Sequence, residues 1–319
     1  MPALTALIAD IGGTNTRLAL TEDGAGYSAL TTYVNRTSGT LEACLDDYLE
    51  RHGVVPGDVP LLLAVAAPVA DDTVRLTNLD WTVSAAALVD RYGFAGVTLL
   101  NDFAAVAAAV PAFGTLDVLA LGGGAGLADQ PVLVVGPGTG FGASLHLPST
   151  AVLPTEGGHA LIAPVTDVEA AVLERLRRTH GPISIEQVLS GAGLVRLYEA
   201  VAGDVAAAES NPASIAERAC RGEDAAAVRT LDLFFAFLGI AVRNLVLATG
   251  ARGGVYLAGG ILPRYPERLA ASQFRARFET PAPLPGYLEN VPIWLITHGA
   301  PALLGLARIA ARADRSGGA

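Results

Sequence analysis

Two adjacent polar residues, Asn101 and Asp102, directly follow the apolar run VTLL and precede the alanine-rich segment FAAVAAAV. The pattern predicts a strand that ends at this pair and a helix that starts after it, and open α/β sheets bind their ligands at such strand ends. Asp102 has the chemistry of a base that accepts a proton from a hydroxyl group during attack on phosphorus. An Asp at a strand-to-helix junction is also a common N-cap, and the residues alone leave both roles open.

A second set of polar residues starts in the segment LPTEGGHALI. Glu156 and His159 flank two glycines in apolar surroundings, and Glu186 lies near a predicted helix start in SIEQVLSGAG. With Asn101 and Asp102 they form the hydrogen-bonding set that a polyhydroxylated ligand requires, which indicates a sugar. The alternatives are a loop carboxylate, a histidine at the edge of the core and a Glu that only stabilises a helix start.

Two glycine-rich turns are candidates for holding phosphate. In LIADIGGTNTRLAL, residues 7–20, an apolar strand leads into a Gly-Gly-Thr turn, and an alternating second strand follows. The turn therefore differs from the Rossmann and Walker loops, which lead from a strand into a helix. PVLVVGPGTGFGASLHL, residues 131–147, repeats this layout. The pair indicates two related halves whose turn N–H groups bind anions, although a tight turn without a ligand explains either hairpin taken alone.

Asp10 is the carboxylate of the first glycine turn. A phosphate-bound Mg²⁺ needs few protein oxygens and keeps several waters, so one Asp beside the phosphates suffices. The alternative is a turn-forming Asp that bonds its own backbone.

Composition excludes several classes of function. The chain has 319 residues, 51% of them hydrophobic, which predicts a large core and two domains. All 21 basic residues are Arg, so lysine nucleophiles, Schiff bases and P-loop lysines are excluded. The net charge of −10 gives no reason to expect nucleic acid or an anionic membrane as a partner.

Two cysteines, Cys44 and Cys220, are too few for a disulfide framework or a zinc cluster, and both are predicted to be core thiols. The start of the chain lacks a basic signal-peptide region, so a cytoplasmic location is expected. The apolar run LFFAFLGIAV, residues 233–242, lies between Asp232 and Arg243 and predicts a buried helix that is too short to span a membrane.

Strands and helices alternate along both halves, which predicts an α/β fold. Further strands are predicted at LLLAVAAPV (61–69) and at GVYLAGGI (254–261), which ends in a glycine pair. A closing helix is predicted at 302–313, and the proline-rich stretch 280–292 is predicted to be a loop.

Seven blocks of the sequence resemble, in order, the bacterial glucokinases of the proteobacterial type: DIGGTNTR, LTNLDW, NDFAAVAAAVP, GPGTGFG, EGGHA, IEQVLSGAGL and YLAGGILPR. The resemblance covers nearly the whole chain and implies an α/β, actin/hexokinase-like (ribonuclease H-like) fold of two domains with an interdomain active-site cleft. It implies a small domain at 1–110 plus 300–319 and a large domain at 111–299. The implied activity is ATP-dependent phosphorylation of glucose to glucose 6-phosphate, a step of glycolysis.

The resemblance also implies roles for individual residues. Asp102 is the implied base that takes the proton of the sugar 6-hydroxyl, and Asp10 is the implied Mg²⁺ residue, acting through water. The implied glucose-binding residues are Asn101, Asp102, Glu156, His159 and Glu186. The implied ATP-binding residues are Asp10, Gly12, Gly13 and Thr14 in the first turn, Gly138, Thr139 and Gly140 in the second, and Gly259 and Gly260 beside the adenosine. A homodimer is also implied.

Three other functions compete with this one. The first is a kinase of another hexose, such as fructose, mannose or N-acetylglucosamine. The second is a non-catalytic sugar sensor or repressor, which the acidic charge and the early first strand disfavour. The third is an actin-like ATPase that acts on a protein partner. Related sugar kinases with a cysteine-rich zinc motif share the first turn, but the missing cysteines lead us to expect no zinc here.

Overall fold

The computed structural model describes residues 4–22, 26–76, 79–203, 211–280 and 286–317. It divides into two compact units, one comprising 1–114, 150–154 and 298–319, the other 115–149 and 155–297. Thr77 and Asn78 of the LTNLDW block and residues 281–285 of the predicted proline-rich loop lie outside the described residues.

The strands of the described chain are β1 Leu4–Ile11, β2 Asn15–Glu22, β3 Ser28–Val34, β4 Pro60–Val65, β5 Thr73–Arg75, β6 Thr82–Ser84, β7 Gly96–Asn101, β8 Val118–Ala120, β9 Val132–Pro137, β10 Phe141–His146, β11 Val152–Thr155, β12 Gly254–Leu257 and β13 Ile293–Ile296. Predicted strands at 61–69 and 254–261 end earlier than expected, at Val65 and Leu257. In both cases the chain leaves the sheet where small residues and glycine or proline follow the buried run.

The helices of the described chain are α1 Asn35–Ser38, α2 Leu41–His52, α3 Ala85–Tyr92, α4 Asp102–Ala109, α5 Asp167–His180, α6 Ile185–Val188, α7 Gly191–Ala202, α8 Pro212–Arg221, α9 Ala225–Thr249, α10 Pro266–Ala270, α11 Phe274–Phe278 and α12 Pro301–Gly317. The predicted helices after Asn101–Asp102 and near the C-terminus are thereby confirmed as α4 and α12.

The sheet of the first unit has the strand order β3-β2-β1-β4-β7. β1 is antiparallel to β2 but parallel to β4, and β4 is parallel to β7. β4 is a nearly continuous buried apolar run, as expected of a parallel strand covered on both faces. Leu7 and Leu63 pack with Leu45 and Tyr48 of α2, while α12 contacts β1 and β4. The carboxyl ends of β1, β4 and β7 consequently lie at one edge of the sheet.

In the second unit β10, β9, β12, β13 and β8 run side by side. β9 is antiparallel to β10 and parallel to β12, which repeats the pattern of β1, β2 and β4 in the first unit. Each glycine turn therefore joins two antiparallel strands, and the first strand of each hairpin pairs in parallel with a later one. The predicted repetition of the layout is confirmed at the level of strand pairing.

The predicted buried helix at 233–242 is part of α9, which fills the core of the second unit with Phe234, Phe235 and Phe237. Its predicted ends were wrong, because the 25-residue helix continues past both Asp232 and Arg243. Among the described residues α9 is the one helix long and apolar enough to cross a membrane, and 61% of its most apolar window is buried inside the protein.

The prediction that both cysteines are core thiols is confirmed for Cys44 and wrong for Cys220, which is exposed. Cys220 lies in the last turn of α8, where Ile215, Ala216 and Ala219 form the buried face. The position next to Ala219 turns away from that face, so helix geometry places the thiol outside the core.

α12 packs across α4 within the first unit, and Gly305 marks a close approach of the two helices. A Cβ atom at this position would collide with the backbone carbonyl oxygen of Ala105. Backbone cannot rotate away as a flexible side chain can, so the two helices would have to separate.

We therefore expect Gly305→Ala to destabilise the protein by about 1–2 kcal/mol. Overpacking costs about 1–3 kcal/mol, whereas the better helix propensity of Ala returns about 1 kcal/mol or less. Unfolding in urea, followed by circular dichroism, measures the change. Gly96→Ala is the matched control, because a Cβ at Gly96 meets nothing within 4 Å. Equal midpoints for the two variants would contradict this account of the helix contact.

Candidate functional site

Asp10 and the Asn101–Asp102 pair lie at the same edge of the first sheet. Asp10 is the second-to-last residue of β1 and pairs with Ala64 of β4, while Asn101 is the last residue of β7 and pairs with Val65. The predicted position of Asn101 and Asp102 at the carboxyl end of a parallel strand is confirmed. Parallel pairing thus brings carboxylates from opposite ends of the first hundred residues to one edge.

The helix that begins after this pair is capped by Asn101, not by Asp102. The Asn101 Oδ1 atom accepts hydrogen bonds from the backbone N–H groups of Phe103, at 3.0 Å, and Ala104, at 3.2 Å. Asp102 is the first helical residue, and its Oδ1 atom accepts hydrogen bonds from Phe103 N–H at 2.9 Å and Asn101 Nδ2 at 3.1 Å. The N-cap role that was the alternative for Asp102 is therefore filled by Asn101.

The environment of Asp102 suits a group that accepts a proton near neutral pH. Burial, and after it the negative charge of Asp10, raises the pKa of the Asp102 carboxyl to about 7, while the hydrogen bonds from Phe103 and Asn101 act in the opposite direction. Desolvation disfavours the charged form, and a nearby like charge adds to that effect. A carboxylate with a pKa near the working pH is suited to general base catalysis.

The first glycine turn is closed by a hydrogen bond from Gly12 N–H to the Asn15 carbonyl oxygen, at 3.0 Å. Gly13 is half-buried and Thr14 is exposed, so the tip of the turn can be approached from solvent. Asp10 faces Arg17 across the hairpin, with Arg17 Nη1 3.4 Å from Asp10 Oδ2. Burial raises the pKa of Asp10, and the Arg17 charge opposes this.

Asn35 holds the first turn from outside it and was not identified from the sequence. Its side-chain amide donates to the Gly12 carbonyl at 2.8 Å, and its Oδ1 atom accepts from Thr16 Oγ1 at 2.8 Å. Its backbone N–H also donates to the Thr14 carbonyl at 2.9 Å. A buried Asn bonded on both sides in this way holds both arms of the turn. Its pattern in the sequence, a lone Asn after a strand, carries no motif that would reveal this role.

In the second unit the glycine turn lies between β9 and β10, and Gly138 N–H donates to the Gly140 carbonyl at 2.7 Å. Thr139 at the tip is exposed. The chain after β12 packs against this hairpin, because Gly259 has φ +92° and a Cβ there would collide with the Pro137 carbonyl oxygen. The structure thus brings Gly259 next to the second turn, and Gly260 follows it in an exposed position.

Glu156 directly precedes a short 3-10 helix, Gly157–His159, and His159 is the last residue of that helix. Their side chains are 60% and 65% exposed, with His159 Nε2 3.6 Å from Glu156 Oε2. Glu186 lies in α6, whose N-terminus is capped by Ser184 and Gln187 through a complete capping box. Glu186 itself accepts a hydrogen bond from the backbone N–H of Phe141, at 2.8 Å. Capping therefore does not explain Glu186, and its carboxylate contacts the second glycine turn.

A pocket of about 360 Å³ in the first unit contains none of the predicted site residues. It lies beside the N-termini of α2 and α3, and its one basic side chain, Arg91, is paired with Asp46 at 2.9 Å.

Comparison with known proteins agrees with this fold. A family model described as Glucokinase matches residues 7–313. The glucokinase of Nitrobacter hamburgensis is 41% identical over 318 residues, covering 96% of this chain and 98% of that protein. The glucokinase of Pectobacterium atrosepticum is 40% identical over 305 residues, covering 94% of each chain.

Among solved structures, a glucokinase from an Antarctic psychrotroph matches with a TM-score of 0.84 at 35% identity, covering 96% of this chain and 98% of that one. The match confirms the predicted α/β fold of the actin-like sugar kinases. With a family model and relatives that extend over nearly its whole length, the chain belongs to the glucokinase family.

Proposed function

We propose that this chain transfers the γ-phosphoryl group of ATP to the 6-hydroxyl of glucose, and that Asp102 is the base that accepts the hydroxyl proton. The observation that carries the role of Asp102 is its environment at the end of β7. Its Oδ1 atom is held by Phe103 N–H and by Asn101, and its pKa is raised to about 7. The sugar hydroxyl would approach the other carboxylate oxygen, Oδ2.

In this mechanism the protein contributes position and charge neutralisation, because the transferred phosphoryl group needs little covalent help. The backbone N–H groups of the two glycine turns would hold the triphosphate, with Gly12, Gly13 and Thr14 in the first and Gly138, Thr139 and Gly140 in the second. Gly259 and Gly260 would flank the adenosine, and the packing of Gly259 against Pro137 supports this.

The proposed sugar ligands besides Asp102 are Asn101, Glu156, His159 and Glu186. The exposure of Glu156 and His159 leaves their polar atoms available to hydroxyl groups. Asn101 has a second role, because the same side chain caps α4 and orients Asp102. Its replacement would therefore disturb the base as well as the sugar.

Asp10 is the residue we propose for Mg²⁺, through water. The donor set fits a phosphate-bound Mg²⁺: in the part of the chain that the structure describes, no three His, Cys, Asp or Glu side chains converge to form a cage. Such an ion uses one or two carboxylates and keeps waters and phosphate oxygens as its other ligands. When bound, it neutralises charge on the triphosphate. Arg17 opposes the burial effect on Asp10 and so favours its ionised form.

We further propose that the unit with the first glycine turn corresponds to the small domain of the family and the other unit to the large domain. A homodimer in the cytoplasm is part of the same proposal. Family membership supports both points, and gel filtration with light scattering would test the dimer.

The first test is coupled ATP consumption with Mg²⁺ in the presence of glucose, mannose, fructose, N-acetylglucosamine or no sugar. We expect consumption that requires glucose, and a loss of about 10²- to 10⁴-fold in kcat for Asp102→Asn, the usual contribution of a general base. Hydrolysis that does not depend on sugar would overturn the kinase function. Near-normal turnover in the variant would remove Asp102 from the mechanism.

Folding of the Asp102→Asn variant can be checked through the same carboxyl group. The folded-state pKa, about 7, lies above the ordinary value of 3.8, so ionised Asp102 destabilises the folded protein increasingly as pH rises from 4 to 7. An Asn side chain does not ionise, so the variant is free of this destabilisation. The variant should therefore unfold at a higher temperature than the wild type at pH 8, with the difference disappearing near pH 4.

The pH dependence of kcat/KM for glucose should have an acidic limb with a pKa near 7, because the protonated carboxyl cannot act as a base. Below that pH, kcat/KM should fall about tenfold per unit. ATP also titrates in this range, so the residual activity of Asp102→Asn serves as the control and should lack the limb. A wild-type limb near pH 4 would contradict the proposed environment of Asp102.

A further inference from the structure

The peptide groups of Phe141 contact two of the segments proposed to bind the sugar. Phe141 is the first residue after the second glycine turn, and its N–H donates to Glu186 Oε2 at 2.8 Å. Its carbonyl oxygen lies so close to Gly158 that a Cβ there would collide with it. Gly158 belongs to the Glu156–His159 segment. The end of the phosphate turn is therefore in contact with both sugar segments.

A second hydrogen bond joins the turn to the chain after Glu186. Gly191 N–H, at the start of α7, donates to the Gly138 carbonyl at 2.9 Å. Gly140 lies directly against the Glu186 side chain, since a Cβ on Gly140 would collide with Glu186 Oε2. The second glycine turn is thus held at both ends by the α6–α7 segment.

The two sugar segments are also bonded to each other. Ile185 N–H donates to the Ala160 carbonyl at 2.9 Å, and Ile162 N–H donates to the Ile183 carbonyl at 3.1 Å. Two backbone hydrogen bonds just before Glu186 therefore fix the position of the α6 start relative to the Glu156–His159 segment. All these contacts lie within the second unit.

Glu186 has the chemistry to serve two ligands at once. Its Oε2 atom accepts the Phe141 N–H, and Oε1 accepts no hydrogen bond from the described residues, which leaves it for a sugar hydroxyl. A hydrogen bond to a carboxylate is about twice as strong as a neutral one, so the Phe141 contact can hold the turn effectively. If the Glu186 carboxylate had no positioning role, its negative charge beside the turn would only weaken the binding of a triphosphate there.

We propose that Glu186 is a positioning residue for the second phosphate turn as well as a sugar ligand, so that ATP and glucose binding are coupled through the Phe141 N–H. The inference rests on the proposed function, since it assumes that the turn holds phosphate and that Glu186 contacts the sugar. Coupling of this kind is reciprocal: sugar that steadies Glu186 raises the affinity for ATP by the factor by which ATP raises the affinity for sugar.

The change in affinity for an ATP analogue in Glu186→Ala distinguishes a positioning role of Glu186 from a purely electrostatic one, because the two predict changes in opposite directions. We expect Glu186→Ala to weaken binding of a non-hydrolysable ATP analogue with Mg²⁺, measured by calorimetry without sugar, by about tenfold, the usual effect of losing one hydrogen bond to a charged group. Removing a negative charge near the triphosphate would by itself strengthen binding. Unchanged or tighter binding in the variant overturns the proposal.

Two further variants test whether the loss of nucleotide affinity is specific to the Glu186–Phe141 contact. Glu186→Gln keeps an acceptor for Phe141 N–H, so its affinity for the ATP analogue should lie between those of the wild type and Glu186→Ala. Glu156→Ala is the matched control, because Glu156 is a proposed sugar carboxylate that pairs with His159 and, within the described residues, makes no hydrogen bond to the turn. It should raise the KM for glucose and leave the affinity for the analogue without sugar within about twofold of the wild type. An equal loss of nucleotide affinity in both alanine variants contradicts the proposal.

Gly140→Ala tests the coupling in the other direction. The added Cβ would displace the Glu186 carboxylate, so the KM for glucose should rise at saturating ATP even though Gly140 belongs to the phosphate turn. In a Glu186→Ala background the obstructing carboxylate is absent, and Gly140→Ala should lose most of this effect. Additive effects of the two changes on the KM for glucose contradict the coupling.

Failure of the inference and failure of the proposed function give different results. A wild type that binds the ATP analogue but never phosphorylates glucose would refute the function, and the calorimetry would still test the role of Glu186 at the turn. Normal glucose phosphorylation together with unchanged nucleotide affinity in Glu186→Ala would refute the inference alone.

Discussion

The parallel pairing of each hairpin's first strand with a later strand is the constraint on which the candidate site depends. In the first unit β1 pairs with β4 and β4 with β7, and in the second β9 pairs with β12. Parallel neighbours end at the same edge, so residues distant in sequence are brought together without any direct bond between them. Asp10 and Asp102 become neighbours in this way, and Gly259 comes to lie against the second glycine turn.

This placement creates an electrostatic conflict that the surrounding residues moderate. Two carboxylates at one buried edge each raise the cost of ionising the other. Arg17 opposes that cost for Asp10 by facing it across the hairpin, but burial outweighs the Arg17 charge and the pKa of Asp10 is still raised. Asp102 is instead bonded by the Phe103 N–H and the Asn101 amide. In the proposed mechanism the Arg17 charge would favour an ionised Asp10 beside the metal and phosphate, whereas Asp102, which has no cationic partner among the described residues, would exchange a proton. The proposed difference in role rests on this difference in partners.

Many strands of the fold and the polar residues at their ends could be predicted from the sequence, because they depend on local patterns. The alternation of β2 and the polar pair after β7 predicted strand ends at the correct residues or close to them. The apolar run of β4 predicted the strand but not its end, which is at Val65 and not at 69. Other features depend on contacts that no local pattern reports. Asn35 reaches the first turn from another strand end, and Phe141 N–H meets Glu186 across 45 residues. Asp232 and Arg243 were taken for helix ends, yet a charged side chain can face solvent from a helix whose other face is buried.

The contact between α4 and α12 also determines when the first unit can be completed during synthesis. β1, β4 and α4 emerge from the ribosome early, but α12, which packs against all three, follows α4 by about 190 residues. The second unit is made in that interval, so its own core, filled by α9, can form while the apolar side of the first sheet still lacks its last helix. The first unit to be translated is therefore the last to be finished, and until α12 is made the apolar residues that it covers on β1, β4 and α4 lack their final partner.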